Sequence, residues 1–267
     1  MISFNDWKKY FPYSEPRAQQ TFAIDFILNA FINEKKKYTL CELGTGIGKS
    51  AIGLTVARFL TEYAPRLAPV EHFKDGAHIL TTQKVLQDQY MRDFGPPTGQ
   101  LTLIKSSTNY DCEYHRSTTC AESRRVVKVE PKGTPFWRKC TLDCHYIREK
   151  QAYIDAQIGT TNYSYFLAET MYGGKIPPRQ LLVLDECHSL QDSFSKFVEM
   201  TVIARVAEND LKLKWPSITT SQQAIDWLTT TYEPKLALHV AHQEATIVRL
   251  DLKEKIKEFK YVLCGAF

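Results

Sequence analysis

The chain has 267 residues, 43% of them hydrophobic and 24% charged, with a net charge of +4. That is enough apolar material for one large domain with an insertion or two, and no low-complexity tract or internal repeat interrupts it. No run approaches ~18 consecutive apolar residues, which excludes a membrane-spanning helix, and so mild a charge does not by itself argue for nucleic acid.

The opening Met1-Ile2-Ser3-Phe4-Asn5-Asp6 lacks a charged start and an apolar core. The expectation is a chain that is not secreted, working in the cytoplasm or on the nucleoid. Residues 6–20 end in Arg17-Ala18-Gln19-Gln20. Phe22, Ile24, Phe26, Ile27, Ala30 and Phe31 then recur at mostly helical spacing, and Lys35-Lys36-Lys37 follows as a solvated cap.

Next comes Leu40-Cys41-Glu42-Leu43-Gly44-Thr45-Gly46-Ile47-Gly48-Lys49-Ser50, which reads as a strand, a phosphate loop and the start of a helix over residues 51–60. Glycines let backbone N–H groups approach a polyphosphate, and the helix start adds partial positive charge. Lys49 can reach the β- and γ-phosphates and Ser50 can ligate Mg2+. The strict G-x-x-x-x-G-K-[ST] pattern would place glycine where Leu43 stands, and the bland alternative is a glycine-rich turn that happens to precede Lys-Ser.

Residues 63–75 read as a loop and 76–82 as a short buried strand. Residues 84–94 read as a helix with Val85, Leu86, Tyr90, Met91 and Phe94 on one stripe, stopped by Gly95-Pro96-Pro97. A short apolar run over 101–105 leads into a cysteine-bearing segment. Beyond it, residues 147–156 look helical, 157–162 look like a strand with a polar end, and 163–171 look helical again. Leu181-Leu182-Val183-Leu184 is a continuous apolar run of the kind found inside parallel sheets. Strands alternating with helices predict an α/β fold with a doubly wound parallel sheet. From Gln191 glycine disappears until Gly265, and helical patterns over 221–230 and 234–262 predict a helical annex.

Asp185-Glu186-Cys187-His188 follows the apolar strand directly. Asp185 suits the water shell of Mg2+, Glu186 suits orienting and deprotonating an attacking water, and His188 suits sensing the γ-phosphate. An acidic helix cap is the bland reading for Asp185 alone. With the phosphate loop upstream, the pair predicts a Mg2+–ATP site that hydrolyses ATP.

Between Lys105 and Lys150 ten Lys or Arg face six Asp or Glu, and four of the seven cysteines fall there as C-x7-C-x19-C-x3-C. Cys112, Cys120, Cys140 and Cys144 are read as ligands of zinc or of an iron–sulfur cluster. The single close pair favours a cluster, since zinc ribbons use two such pairs. His115 and His145 flank them, while Cys41, Cys187 and Cys264 read as core fillers. Tyr110, Tyr114, Phe136, Trp137 and Tyr146 alternate with Arg116, Arg124, Arg125, Lys128, Lys132, Arg138 and Lys139. That pattern suits either a single-stranded nucleic acid track or aromatic packing with a basic rim.

The order of these motifs resembles the N-terminal half of the XPD/DinG-type iron–sulfur helicases of superfamily 2. The likeness runs from Arg17 to Leu190. It rests on Arg17-Ala18-Gln19-Gln20, the phosphate loop, Thr81-Thr82-Gln83 with Leu86 and Gln89, Ser107-Thr108-Asn109-Tyr110-Asp111-Cys112, Cys144-His145-Tyr146, Gly159-Thr160-Thr161-Asn162-Tyr163 and Asp185-Glu186-Cys187-His188. The resemblance implies a RecA-like ATPase domain over 1–104 and 151–190, an inserted iron–sulfur subdomain over 105–150 and an arch-like helical segment over 191–267. It implies a [4Fe–4S] cluster on the four cysteines and ATP bound by Gln20, Gly44, Thr45, Gly46, Ile47, Gly48, Lys49 and Ser50. It also implies 5′→3′ movement on single-stranded or forked DNA contacted through Thr81, Thr82, Gln83, Thr161, Asn162 and Tyr163. The family's motif III and the arginine fingers of its second RecA-like domain are not visible, so slow hydrolysis is expected unless a second chain supplies them. The rival expectations are a regulatory or partner-docking module that binds ATP and DNA without unwinding, and a zinc-stabilised nucleotide-dependent nuclease or transport ATPase.

Overall fold

A computed structural model describes residues 2–63, 73–95, 101–199 and 201–248. The chain divides into two compact units, residues 1–198 and 199–267.

In the first unit the elements run α1 (Phe4–Trp7), α2 (Ala18–Ile32), α3 (Lys49–Tyr63), β1 (Lys74–Thr81), α4 (Lys84–Phe94), β2 (Leu101–Leu103), α5 (Cys120–Val126), α6 (Pro135–Leu142), α7 (His145–Asp155), β3 (Ile158–Asn162), α8 (Tyr163–Ala168), β4 (Arg179–Leu184) and α9 (Leu190–Val198). The four strands form a parallel sheet in the order β2-β3-β1-β4, with Ile79 opposite Thr160 on one side and Val183 on the other. Parallel neighbours require crossovers, and the helices supply them. The sheet is covered on both faces. Ala77 and Ile79 of β1 pack with Ile24, Leu28, Leu54, Ala57 and Tyr90 of α2, α3 and α4. On the opposite face His78 meets Tyr153 of α7 and Phe166 of α8. The cysteine segment lies within the crossover from β2 to β3, where α5 and α6 form.

Four expectations are corrected. Residues 38–44 join no ladder among the described residues, although they keep a pleated alternation: Cys41 and Leu43 pack on the core while Leu40 is 78% exposed. The apolar run at Leu181–Leu184 forms an edge strand, and Leu182 is 46% exposed. Continuous apolarity reports burial of the two faces of a strand and is silent about a second lateral neighbour. In α2, Ile24 and Ala30 are buried and Ile27 and Phe31 pack on the core as expected, whereas Phe22 and Phe26 point outward. The helix expected over 163–171 ends at Ala168. It widens into a π turn over Glu169–Gly173, where Glu169 pairs with the half-buried Lys150 and Gly174 closes the turn at φ 60°.

The second unit contains α10 (Ser221–Trp227) and α11 (Glu233–Val248), joined by a π turn over Leu228–Tyr232. Thr220 caps α10 and forms a capping box with Gln223. Ala207, Leu211 and Tyr232 form its small core, with Trp227 packed against them. The part of the predicted 234–262 helix past Val248 lies outside the described residues.

His78 is buried in the sheet, bonded through Nδ1 to the Tyr153 hydroxyl at 2.8 Å and through Nε2 to the Pro177 carbonyl at 2.9 Å. Burial, with the Arg179 charge nearby, holds its pKa down at about 4. A depressed histidine pKa means that the unfolded chain takes up the proton first. Stability present above pH 6.5 is therefore lost as pH falls through about 4, by on the order of 3 kcal/mol. Urea denaturation between pH 7 and pH 4 should show this slope, and His78→Gln should flatten it.

Candidate active site

The phosphate loop is built from below by the short motif that precedes α2. Gln20 is buried, and its Oε1 accepts from the Arg17 N–H at 2.9 Å while its Nε2 donates to the Ile47 carbonyl at 2.8 Å. Arg17 donates to the Gly46 carbonyl at 2.8 Å. These bonds turn loop carbonyls toward the protein, which leaves loop N–H groups free to face a ligand. Gly48 takes φ 87°, and a Cβ there would sit 2.6 Å from Gln20 Nε2, so only glycine fits. Gly44, Thr45 and Gly46 are exposed, with Ile47 packed on the core. Gln20, implied by the resemblance to bind ATP, here bonds the loop through Nε2 and the Arg17 N–H through Oε1. Arg17 lies in the quoted motif and received no role from sequence; its contact is to a backbone atom, which leaves no pairing signal.

Strand β4 delivers the acidic pair to the same place. Lys49 Nζ lies 3.1 Å from Glu186 Oε1, each side chain about one-third exposed. Glu186 has φ 56°, a left-handed conformation that costs a non-glycine residue about 1–3 kcal/mol and is typical of functional turns. Its carbonyl accepts from Ser189 N–H and hydroxyl, which stabilises the turn. His188 Nδ1 stands 3.3 Å from Glu186 Oε2, with its ring mostly in solvent. Lys49, Ser50, Asp185, Glu186 and His188 are therefore gathered into one site.

Asp185 is partly buried. Burial pushes its carboxyl pKa up, the bond from Tyr90 pulls it back, and Glu186 raises it again against the opposing Lys49 charge. Tyr90 O–H donates to Asp185 Oδ2 at 3.1 Å, and Ser50 lies near enough to influence the same hydroxyl. Hydroxyl and carboxylate oxygens of this kind are the donor set Mg2+ prefers, so the residues fit that ion. Tyr90 was read in the sequence only as part of a helical stripe.

The predicted DNA-facing residues separate by burial. Thr81 and Thr161 are fully buried, Thr161 donating to the Ile104 carbonyl at 2.8 Å. Tyr163 is buried with its hydroxyl on the Asp185 carbonyl at 2.9 Å. Thr82, Gln83 and Asn162 remain accessible at the ends of β1 and β3, where Gln83 and Asn162 are the N-cap residues of α4 and α8.

Cys112, Cys120, Cys140 and Cys144 line one small pocket. Thr119 caps α5 so that Cys120 begins that helix, Thr134 with Pro135 starts α6 beneath Cys140, and Cys144 is the N-cap residue of α7. Cys112 Sγ accepts N–H bonds from Tyr114 at 3.4 Å and His115 at 3.2 Å. Burial, then the neighbouring Cys144, raises Cys120 to about 12 and Cys140 to about 11. Among the described residues no three Cys, His, Asp or Glu groups are drawn together tightly enough to hold a single ion. A four-iron cube keeps its thiolates farther apart than one ion does, and four free thiols with N–H donors aimed at one sulfur fit such a group. His115 packs on Phe136, and His145 contacts Tyr110 and Glu149, so both are accounted for without metal. Phe136 and Tyr146 are buried and Tyr114 is 47% exposed, so the aromatic series serves mostly as packing.

No known protein-family profile matches the chain. It is similar to the ATP-dependent DNA helicase YoaA of Escherichia coli, with 25% identity over 242 aligned residues. The match covers 72% of this chain and 35% of that protein, so the chain spans about a third of the relative's length. The relationship is distant.

Gly48→Ala forces a side chain into Gln20 at a left-handed position and should cost about 1–3 kcal/mol, read as a lowered urea midpoint. Pairing it with Gln20→Ala should recover part of that loss, because the clash disappears while the backbone strain stays.

Proposed function

We propose that this chain binds Mg2+–ATP and single-stranded or forked DNA as part of an ATP-dependent DNA helicase or translocase moving 5′→3′. The observation that carries the proposal is the meeting of Lys49 and Ser50, at the start of α3, with Asp185 and Glu186, at the end of β4. A glycine turn and an acidic pair each have bland explanations alone. Their convergence on one site is what a magnesium nucleotide needs.

In this reading, Lys49 exchanges Glu186 for the β- and γ-phosphates when nucleotide enters. Glu186, freed from that pairing, orients the attacking water and takes its proton, with His188 beside it to register the γ-phosphate. Ser50 and Asp185 would hold the metal, which would supply positive charge to neutralise the negative charge developing on the phosphates. Gly44, Thr45, Gly46, Ile47 and Gly48 offer backbone N–H groups to the phosphates, and Gln20 keeps that loop in shape. Thr82, Gln83 and Asn162 form the accessible DNA-facing set, with Thr81, Thr161 and Tyr163 supporting them from beneath. Cys112, Cys120, Cys140 and Cys144 would hold a [4Fe–4S] cluster, which would cross-link the 105–150 insertion. Residues 1–104 and 151–190 then form the ATPase core, and 191–267 an arch-like segment. A second RecA-like domain, on another chain or a longer one, completes the site.

Glu186→Gln should keep nucleotide binding and lower DNA-stimulated hydrolysis by about 10²–10⁴-fold, measured as phosphate release. Lys49→Ala should lose nucleotide binding, and wild-type behaviour of that variant would contradict the phosphate-loop assignment. Anaerobically purified protein should absorb in the visible charge-transfer region and bleach in Cys144→Ser. A colourless protein carrying stoichiometric zinc would replace the cluster with zinc.

A further inference from the structure

Two buried tyrosines grip Asp185 from different helices. Tyr90 of α4 is 2% exposed and donates to the Asp185 carboxylate at 3.1 Å, with Ser50 near its hydroxyl. Gly53, one turn into α3, keeps that corner open: a Cβ there would lie 4.0 Å from the Tyr90 hydroxyl and 3.0 Å from Val183. Tyr163, the first residue of α8, is also 2% exposed and donates to the Asp185 backbone carbonyl at 2.9 Å. A third bond runs from the Asp185 N–H to the Leu80 carbonyl of β1 at 2.9 Å.

Packing alone would be served as well by phenylalanine at positions 90 and 163. A buried hydroxyl costs free energy unless it is bonded, so each O–H is informative through its partner, and both have Asp185. The two helices share another property. α4 begins directly after Thr81-Thr82-Gln83, with Gln83 at its N-cap, and α8 begins directly after Thr161-Asn162, where Asn162 Oδ1 accepts the Tyr165 N–H at 2.8 Å. Seven residues of helix separate Gln83 from Tyr90, about 10 Å of stiff rod. Any displacement of either strand end therefore reaches Asp185 through one rigid element and one hydrogen bond.

We infer that Tyr90 and Tyr163 are positioning residues that couple nucleic acid at the ends of β1 and β3 to the orientation of Asp185, and so to the affinity for magnesium nucleotide. The inference rests on the nucleotide and DNA reading above. Tyr90 sets which carboxylate oxygen is free beside Ser50, and Tyr163 sets the height of the Asp185 backbone. Nucleic acid that orders the strand ends would tighten both bonds, and by reciprocity bound nucleotide would tighten the grip on nucleic acid.

The test is the affinity of the full 267-residue chain for Mg2+–ATPγS, measured with and without a saturating single-stranded oligodeoxynucleotide. The native ratio of the two dissociation constants should fall in the range of about 5–150-fold. Tyr90→Phe and Tyr163→Phe should each cut that ratio to less than about a third of the native value, and the double variant should bring it near one. A purely structural role would lower the melting temperature and leave the ratio alone. If Tyr163→Phe fails to fold, Tyr90→Phe decides the matter by itself. Both variants keeping the native ratio, or a native chain that binds both ligands with a ratio of one, would overturn the clamp. A native chain that binds no nucleotide would instead overturn the reading on which the clamp rests.

Discussion

The first unit depends on the contact between the first turn of α3 and the end of β4. Lys49 meets Glu186 there, and Ser50 and Asp185 share Tyr90. These groups are more than 130 residues apart in the chain, so only the sheet can bring them together. β1 holds the register of β4 by pairing Leu80 with Leu184, and α3 lies over both strands through Leu54 and Ala57. The left-handed Glu186 is the point where this arrangement stores strain, held by the Ser189 bonds on one side and by Lys49 on the other. Removing the lysine charge therefore frees the very carboxylate that the strained turn presents.

The cysteine pocket has a different physical logic. Four thiols are collected by two helices capped by threonines, the start of a third helix and one loop. Burial and the proximity of neighbouring thiols raise the pKa values of Cys120 and Cys140, and a cation or cluster that takes up thiolate charge would relieve both penalties. The salt bridges around Glu113, to Lys139 at 2.8 Å and Arg148 at 2.6 Å, tie α6 and α7 across the outside of the same pocket. They are largely exposed, so they stabilise little and instead hold the approach of the two helices.

Much of this was legible in the residues. Gly44 to Ser50 predicted a loop and helix start, and α3 begins at Lys49. Residues 84–94 predicted a helix with the bounds of α4, and the alternation of elements predicted a parallel sheet. What escaped the sequence was lateral and directional. The apolar run at Leu181–Leu184 could not tell an interior strand from an edge, and the alternation of Cys41 and Leu43 could not say whether a ladder would form. Tyr90 looked like one more core position, because its stripe spacing reports the face of the helix and not the partner of a hydroxyl. The resemblance implied DNA contacts at Thr81, Thr161 and Tyr163, and the fold buries all three side chains.

The central claim is that one magnesium nucleotide is shared by the loop ending in Lys49-Ser50 and by Asp185. Isothermal titration of the chain with ADP, in Mg2+ and again in EDTA, tests it most directly. The account predicts one nucleotide per chain, with affinity at least about tenfold weaker in EDTA and equally weak for Asp185→Asn in Mg2+. Equal affinity in Mg2+ and EDTA, or an unchanged Mg2+ dependence in Asp185→Asn, would contradict it.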